Sequence, residues 1–559
     1  MKARTAAMLV ALLLALTGCA GLPTAGPVNP GLGAAEAPDV PDFSFSPDRP
    51  QPGATPEQIV EGFVAAATGS QNDWEIAQLF LAPAIRESWR PEAGVTIDRP
   101  GSRTVTAIED GRVEMSVVVT ASVDENGAYE LADEPTQTFS YGLAEQADGQ
   151  WRITEVPDGI VLDEDNFDNV FRAYSLMYFD PSWNYLVPDV RWFATRNPAT
   201  RITRALLGST PSPWLQESVA SAAPEGVSLA RQSVPVVQGV ARIELTEAAL
   251  DADPVTLGRL QRQLQASLQG AGIAGAEMLV DGAALTVEPA PVRGTAIDAR
   301  PLVLTDDVFG FLSDGEVARL GGMSATIESL GVTAVSMGRG EETAAVSLTG
   351  GGVARVDADG EATTVDPRAG LAEPALDPDG VIWTVPRDQP TALRATLADG
   401  TAIDIEGAWV GSSRVQAIQI SRDGTRMAAI LTAGGRDWAV VSGIVRDADG
   451  VPRSLGESRR IVRLDGSGID VAWLDDQTLG IASAGDDGEM SVIEHVVGGT
   501  GQTLSGPAAT LTTIAAGATV TSARVLSDDG VLSLRRGSTW QPAAEGVRVL
   551  APQLGAASG

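Results

Sequence analysis

The stretch Ile420-Ser-Arg-Asp-Gly-Thr-Arg-Met-Ala-Ala-Ile430 decides the fold of everything beyond about residue 300 in this 559-residue chain. A strand end runs into a tight turn and out into a second apolar strand, and Asp-Gly supplies the positive φ that such hairpins require. The theme recurs as Ala375-Leu-Asp-Pro-Asp-Gly-Val-Ile-Trp383, Val471-Ala-Trp-Leu-Asp-Asp-Gln-Thr-Leu-Gly-Ile481 and Val525-Leu-Ser-Asp-Asp-Gly-Val-Leu-Ser-Leu534. Its period is roughly 45 to 55 residues, the length of a four-stranded propeller blade. Further turns stand at Leu312-Ser-Asp-Gly315, Asp357-Ala-Asp-Gly360 and Asp447-Ala-Asp-Gly450, and no helical period interrupts them. We read residues 298–559 as an all-β propeller of about five or six blades. A β-sandwich would explain the hairpins but not the long-range repeat.

Working back from the propeller, residues 163–292 alternate strands and helices. Strands at Tyr174–Phe179 and Val190–Ala194 lead to Asn197-Pro198, a cap and first-turn pair opening a helix with Ile202, Ala205 and Leu206 on one face. Strands follow at 227–232 and 236–245. Leu257, Leu260, Leu264 and Leu268 then mark a helix ended by Gly270, more readily a core stripe than a partner helix, and strands at Glu277–Val280 and Ala284–Val287 complete the unit. Residues 55–162 begin with Thr55 as N-cap, Pro56 at the first helical position and an Ile59, Val60, Phe63, Val64 stripe stopping at Gly69. A second helix spans Trp74–Leu81. Strands at Thr104–Glu109, Arg112–Val123, Thr136–Ala144 and Gly149–Thr154 follow. Helices first and a curved antiparallel sheet after them resemble the cone-shaped α+β fold of nuclear-transport-factor-like domains.

Residues 1–18 join a basic start (Lys2, Arg4) to an apolar run from Ala6 to Leu16, too short for an ordinary membrane span, and read as a signal peptide. Leu16-Thr17-Gly18-Cys19 reads as a lipobox. Cleavage between Gly18 and Cys19 would free the cysteine to carry S-diacylglycerol and an N-palmitoyl chain, and several acyl chains give stable anchoring where one does not. Residues 19–54, rich in Pro, Gly and Ala, read as a tether. Cys19 is the only cysteine, so no disulfide is expected within the chain.

A net charge of −34 argues against nucleic-acid binding, which needs clustered cations. The only lysine is Lys2, so every cation beyond the signal peptide is an arginine. The only histidine, His495, leaves no basis for a His-rich zinc site, and it reads as a strand residue rather than part of a triad. Gly-x-Ser-x-Gly, Walker and Rossmann patterns are absent, so no catalytic residue, metal or cofactor is expected. Asp163-Glu-Asp165 and Asp475-Asp476 read as solvated turns, and the Asp-x-Asp-Gly turns lack the glutamate that completes a calcium loop. Residues 167–193 concentrate nine aromatics, most of them expected in the core of the middle unit and its junction with the first. Trp183 and Tyr185, beside Pro181 and Asn184, are the candidates for a partner-binding hot spot.

The whole-chain pattern resembles the actinobacterial lipoprotein LpqB family. The residues that carry the resemblance are Gly21-Leu-Pro-Thr-Ala-Gly-Pro-Val28 after the lipobox, Tyr178-Phe-Asp180 and Ala205-Leu-Leu-Gly208 in a middle unit like the GerMN sporulation and germination module, and the terminal propeller. The resemblance implies a non-enzymatic lipoprotein on the extracytoplasmic face of the cell membrane. It further implies binding to the extracellular domain of the sensor histidine kinase MtrB, tuning the MtrAB two-component system in cell-envelope homeostasis. The alternatives are an envelope assembly or transport accessory comparable to the Tol propeller protein, and a cell-wall hydrolase.

Overall fold

The computed structural model describes residues 47–69, 74–108 and 111–555. The expected signal peptide, Cys19 and the expected tether up to residue 46 lie outside the described residues.

Thr55 begins the first domain as the sequence requires. Its hydroxyl accepts the Gln58 amide while the Gln58 side chain accepts the Thr55 amide, a reciprocal capping box that opens α1 (Pro56–Ala66). The stripe Ile59, Val60, Phe63 and Val64 is buried against the sheet. The second helix is shorter than expected: α2 covers only Glu75–Gln78, because Trp74 takes a left-handed conformation at φ 58° while its indole N–H is held by the Ala67 carbonyl. The expected strands appear as β2 (Thr104–Ile108), β3 (Arg112–Asp124), β5 (Thr136–Glu145) and β6 (Trp151–Glu155). They are joined by β1 (Gly94–Asp98), β4 (Tyr129–Leu131) and β7 (Ile160–Asp163). The sheet runs β6-β5-β3-β1-β7 with β2 and β4 also on β3, and the β1–β7 pair is parallel, which departs from a purely antiparallel cone. Helix α3 (Glu164–Val170), capped by Asp163, returns Phe167 and Val170 to this core, so the first domain reaches past residue 162.

The middle domain opens on the hairpin β8 (Phe171–Phe179) and β9 (Leu186–Ala194). Helices α4 (Pro198–Gly208) and α5 (Pro254–Gln269) pack over it, with Leu260, Leu264 and Leu268 fully buried. Asn197 does not cap α4 through its side chain; it turns the chain at φ 52° instead, and Pro198 still occupies the first turn. Strands β10 (Val236–Val237), β11 (Val240–Glu244), β12 (Gly275–Val280) and β13 (Ala283–Ala284) form a small mixed sheet. The expected strand at 227–232 reduces to one bridge, Leu229 to Leu245.

The propeller has six blades. Blades 2, 3, 5 and 6 are four-stranded sheets over 332–366, 375–404, 467–505 and 511–544, and blade 4 over 414–463 has five strands. Blade 1 is composite. Leu302–Thr305, Phe309–Ser313 and Glu316–Arg319 supply its outer three strands, and the C-terminal strand Val547–Ala551 pairs antiparallel with Leu302–Thr305 as its innermost one. The two ends of the propeller therefore close the ring with main-chain hydrogen bonds. The Asp-Gly turns behave as read: Asp314 (φ 51°) and Gly315 (φ 83°) both take positive φ in the hairpin of blade 1. One element departs from the all-β reading, the helix α6 (Gly321–Leu330) between blades 1 and 2. It buries only Met323, Ser324 and Ile327, too short a stripe to stand out among Gly and Ser.

Strand β9 joins all three domains. The Trp192 amide donates to the Gly127 carbonyl of the first domain (2.8 Å), and its indole N–H donates to the Gly498 carbonyl of blade 5 (2.9 Å). Both glycines are required there. A Cβ at Gly127 would stand 2.8 Å from the Trp192 carbonyl, one at Gly498 would stand 3.2 Å from Val190, and both residues have positive φ. Arg191 and Asp189, each about 2% exposed, form an ion pair inside the joint. Arg191 also donates to the Asn126 carbonyl, and Asp189 accepts from the amide and hydroxyl of Ser212.

Two stability outcomes follow. Trp192→Ala should cost about 3–5 kcal/mol, as for a large buried aromatic, read by denaturant unfolding. Truncation after Gly546 should abolish the cooperative thermal transition of the propeller in circular dichroism, because blade 1 loses its inner strand; an unchanged transition would show that ring closure is dispensable.

Candidate functional site

The propeller's two faces differ in what covers them. One carries the turns between the first and second strands of each blade, and there the middle domain docks. Arg339 donates to the Tyr185 hydroxyl (2.9 Å) and Ser175 donates to Gln477 (2.6 Å). The interdomain linker crosses the same face: Thr295 donates to Asp476, Arg422 reaches the Thr295 carbonyl, and Arg524 reaches the carbonyls of Ala299 and Arg300. Asp475-Asp476 is therefore no free solvated turn, since Asp475 caps its own turn and Asp476 holds the linker.

The opposite mouth of the channel is open. Its architecture follows from a register irregularity that repeats in every blade. Pairing between the innermost strand and its neighbour shifts by one at Arg548 in blade 1, Thr333 in blade 2, Gln416 in blade 4, Ile469 in blade 5 and Thr512 in blade 6. In blade 3 the shift falls between Leu371 and Ala375 and so includes Glu373. Each is a bulge, in which one extra residue on one strand breaks the ladder and sharpens the local twist. The resulting mouth, a recess of about 530 Å³, is lined by Thr333, Glu373, Thr512 and Arg548 from the bulges and by Asp306, Asp528 and Asp529 from neighbouring loops. The loops thus bring three exposed carboxylates, Asp306, Asp528 and Asp529, to this mouth against one arginine, Arg548.

Deeper in the channel Glu373 and Asp470 interact. Burial, and then the charge of Asp470, push the Glu373 carboxyl up to about 8, with Arg387 opposing. Burial pushes Asp470 up to about 6, against the pull of hydrogen bonds from the backbone amides of Ile514 and Val471 and the charge of Arg387. Both carboxyls therefore hold their protons to higher pH than solvated carboxyls do. No sequence motif announces the pair, because Glu373 and Asp470 sit almost a hundred positions apart and meet only when the ring closes.

The residues singled out from sequence are placed as follows. Tyr185 is 4% exposed and lies in the joint between the middle domain and blade 2, so its ring serves an internal contact and not an outer surface. Trp183 keeps part of its ring exposed, packed on Phe179 and covered by the Arg259 guanidinium at 4.0 Å. Of the other seven aromatics, Phe167, Phe171 and Trp192 belong to the first core and Tyr174, Tyr178, Phe179 and Phe193 to the middle one. His495 is a buried strand residue of blade 5 whose Nδ1 faces the Val496 carbonyl, and burial lowers its pKa. Gly18 and Cys19 lie outside the described residues. Among the described residues no cluster of three or more His, Cys, Asp or Glu side chains could hold a metal ion, and no helix is long and apolar enough to cross a membrane.

Known proteins match the chain over nearly its whole length. Residues 49–168 match the family model of the lipoprotein LpqB N-terminal domain, 175–286 that of sporulation and spore germination, and 307–554 that of the lipoprotein LpqB beta-propeller domain. Lipoprotein LpqB of Cutibacterium acnes is 26% identical, with 98% of each chain covered. Lipoprotein LpqB of Mycobacterium tuberculosis is 25% identical over 79% of this chain and 81% of that protein. Among solved structures, TolB from Acinetobacter baumannii aligns with 45% of this chain and 66% of its own at 13% identity and a TM-score of 0.34.

The carboxyl pair sets a pH test. A group whose folded pKa lies above its unfolded value, about 4.3 for glutamate, loses its contribution to stability as pH rises through the folded pKa. Glu373→Gln should therefore gain in Tm relative to wild type at about pH 9 and lose that gain at about pH 4, below the unfolded pKa; an equal difference at both values would contradict the pairing.

Proposed function

The chain belongs to the LpqB lipoprotein family, and on that premise we propose that it is a lipid-anchored, extracytoplasmic binding protein that engages and tunes a sensor histidine kinase of MtrB type. The observation that carries this reading is the asymmetry of the propeller. One face is consumed by the middle domain and linker, while the other presents an open, acid-rimmed mouth at which Asp306, Asp528 and Asp529 are exposed. A face of that sign steers a basic patch on a partner and fixes its orientation. Partner binding needs no catalytic group, and the half-buried carboxyls Glu373 and Asp470, both shifted up in pKa, would make the contact sensitive to envelope pH. The membrane attachment rests on Cys19 and its lipobox.

Cross-linking from the surface of intact cells, followed by mass spectrometry, tests this reading with wild-type protein and Cys19→Ser. Capture of one sensor kinase, lost with the anchor, is the expected result. Capture of transport or wall-assembly components without a kinase would favour the envelope-accessory reading instead.

A further inference from the structure

Residues 190–216 carry four arginines and no carboxylate, in a chain whose formal charge is −34. Arg191 is neutralised by Asp189 inside the joint, and the other three come to one side of the middle domain. The Arg204 guanidinium of α4 donates to the Gln232 carbonyl (2.9 Å), and the Val234 amide donates to the Thr200 hydroxyl (2.9 Å). The segment 231–237 therefore runs antiparallel beside α4. It starts with Arg231 near Arg204 and heads for the N-terminal end of the helix, where Arg196 accepts from Arg201 through its carbonyl. Arg196, Arg204 and Arg231 are exposed and form no ion pair among the described residues, while Arg201 pairs with Glu92. The neighbouring acids are occupied or turned elsewhere. Glu92, Asp124 and Glu125 line the cavity between the first and middle domains, which none of residues 231–237 borders. On β11 and β12, Arg242 and Glu277 pair at 3.2 Å, and the Glu244 carboxylate accepts from the Gly282 amide (2.7 Å).

The same segment ends in an open sheet edge. Strand β10 pairs only with β11 and is the outermost strand of its sheet. The Arg242 amide donates to the Pro235 carbonyl, so Pro235 and Arg242 stand as a hydrogen-bonded pair. By the alternation of an antiparallel ladder, the next pair, Val236 and Ala241, is not hydrogen-bonded, and Val236 turns its own amide and carbonyl outward. Val236 and Val237 are also 45% and 51% exposed. Arginines beside an open edge repel a second basic strand and select an acidic one.

We propose that this edge takes an acidic, extended peptide segment of a partner protein, added as a further strand beside β10. A peptide supplies both the carbonyl and the amide that the outward groups of Val236 require, and its alternate side chains set apolar groups against the valines. Carboxylates on such a segment meet the guanidinium forks of Arg196, Arg204 and Arg231, which fit carboxylate oxygens two at a time. A lipid headgroup or a phosphate polymer would meet the arginines but brings no amide to the Val236 carbonyl. The edge belongs to the middle domain and the open mouth to the propeller, so this proposal and the kinase reading stand or fall independently.

The test uses the full-length protein in detergent micelles and, as the probe, a fluorescent peptide of alternating glutamate and valine read by anisotropy. Comparators are the same peptide with lysine for glutamate, the same peptide with alternate amides N-methylated, and phosphatidylglycerol vesicles. The acidic peptide should bind, and Arg196→Glu with Arg231→Glu should weaken that binding by about tenfold or more, with an unchanged thermal transition. Val236→Pro removes the outward amide and leaves the β10–β11 hydrogen bonds in place, and it should weaken binding likewise. Reversal of two exposed arginines of the propeller, Arg436→Glu with Arg536→Glu, should leave binding intact. Absence of binding, equal loss in the propeller control, lysine or N-methylated peptide bound as tightly as the acidic one, or vesicle binding that depends on Arg196 and Arg231 would each overturn the proposal.

Discussion

Strand β9 is the constraint on which the rest of the molecule depends. All eight residues from Val187 to Ala194 are buried, although the strand belongs to a sheet of only two strands. A strand buried on both faces must find apolar cover on both, and three different domains supply it here. Val187 packs into a propeller core with Trp214 and Leu215, Trp192 completes the core of the first domain, and Phe193 packs in the middle one. The two charges in the middle of the strand, Asp189 and Arg191, are tolerated because they neutralise each other and because their remaining hydrogen-bonding groups reach Ser212, Thr210 and Asn126. Removing one member of such a pair strands the other in an apolar joint, which is far worse than removing both.

That joint fixes which propeller face is available. With the middle domain seated on the turns between first and second strands, the channel opens only at the bulged end. Ring closure by the strand Val547–Ala551 brings bulges from distant parts of the sequence to one rim, while the packing of blades 3 to 5 places Glu373 within the field of Asp470. The acid rim and the carboxyl pair beneath it are thus products of topology, and each loses its meaning if the ring opens.

Legibility in the sequence followed the range of the interactions. Asp-Gly turns, the Thr55 cap and the Leu260, Leu264, Leu268 stripe are local, and the structure reproduces them. The blade repeat was readable because each hairpin carries its own turn chemistry. The aromatic concentration at 167–193 was visible, but its division among cores was not, since Phe167 and Trp192 join the first domain while Tyr174 and Phe193 join the second. Tyr185 looked like a surface residue because Pro181 and Asn184 flank it; only the docking of Arg339 from blade 2 shows that the site is internal. The bulge ring had no signature at all, because an extra residue in a register is defined by its partner strand.

The most direct measurement is the affinity of the full-length protein in detergent micelles for the extracytoplasmic domain of the sensor kinase, comparing wild type with Asp528→Arg combined with Asp529→Arg at the open rim. The account predicts measurable binding that the double reversal weakens by about tenfold or more, while Trp183→Ala leaves it unchanged. Binding that is indifferent to the rim charges, or that is lost with Trp183, would contradict the claim that the open propeller mouth is the contact face.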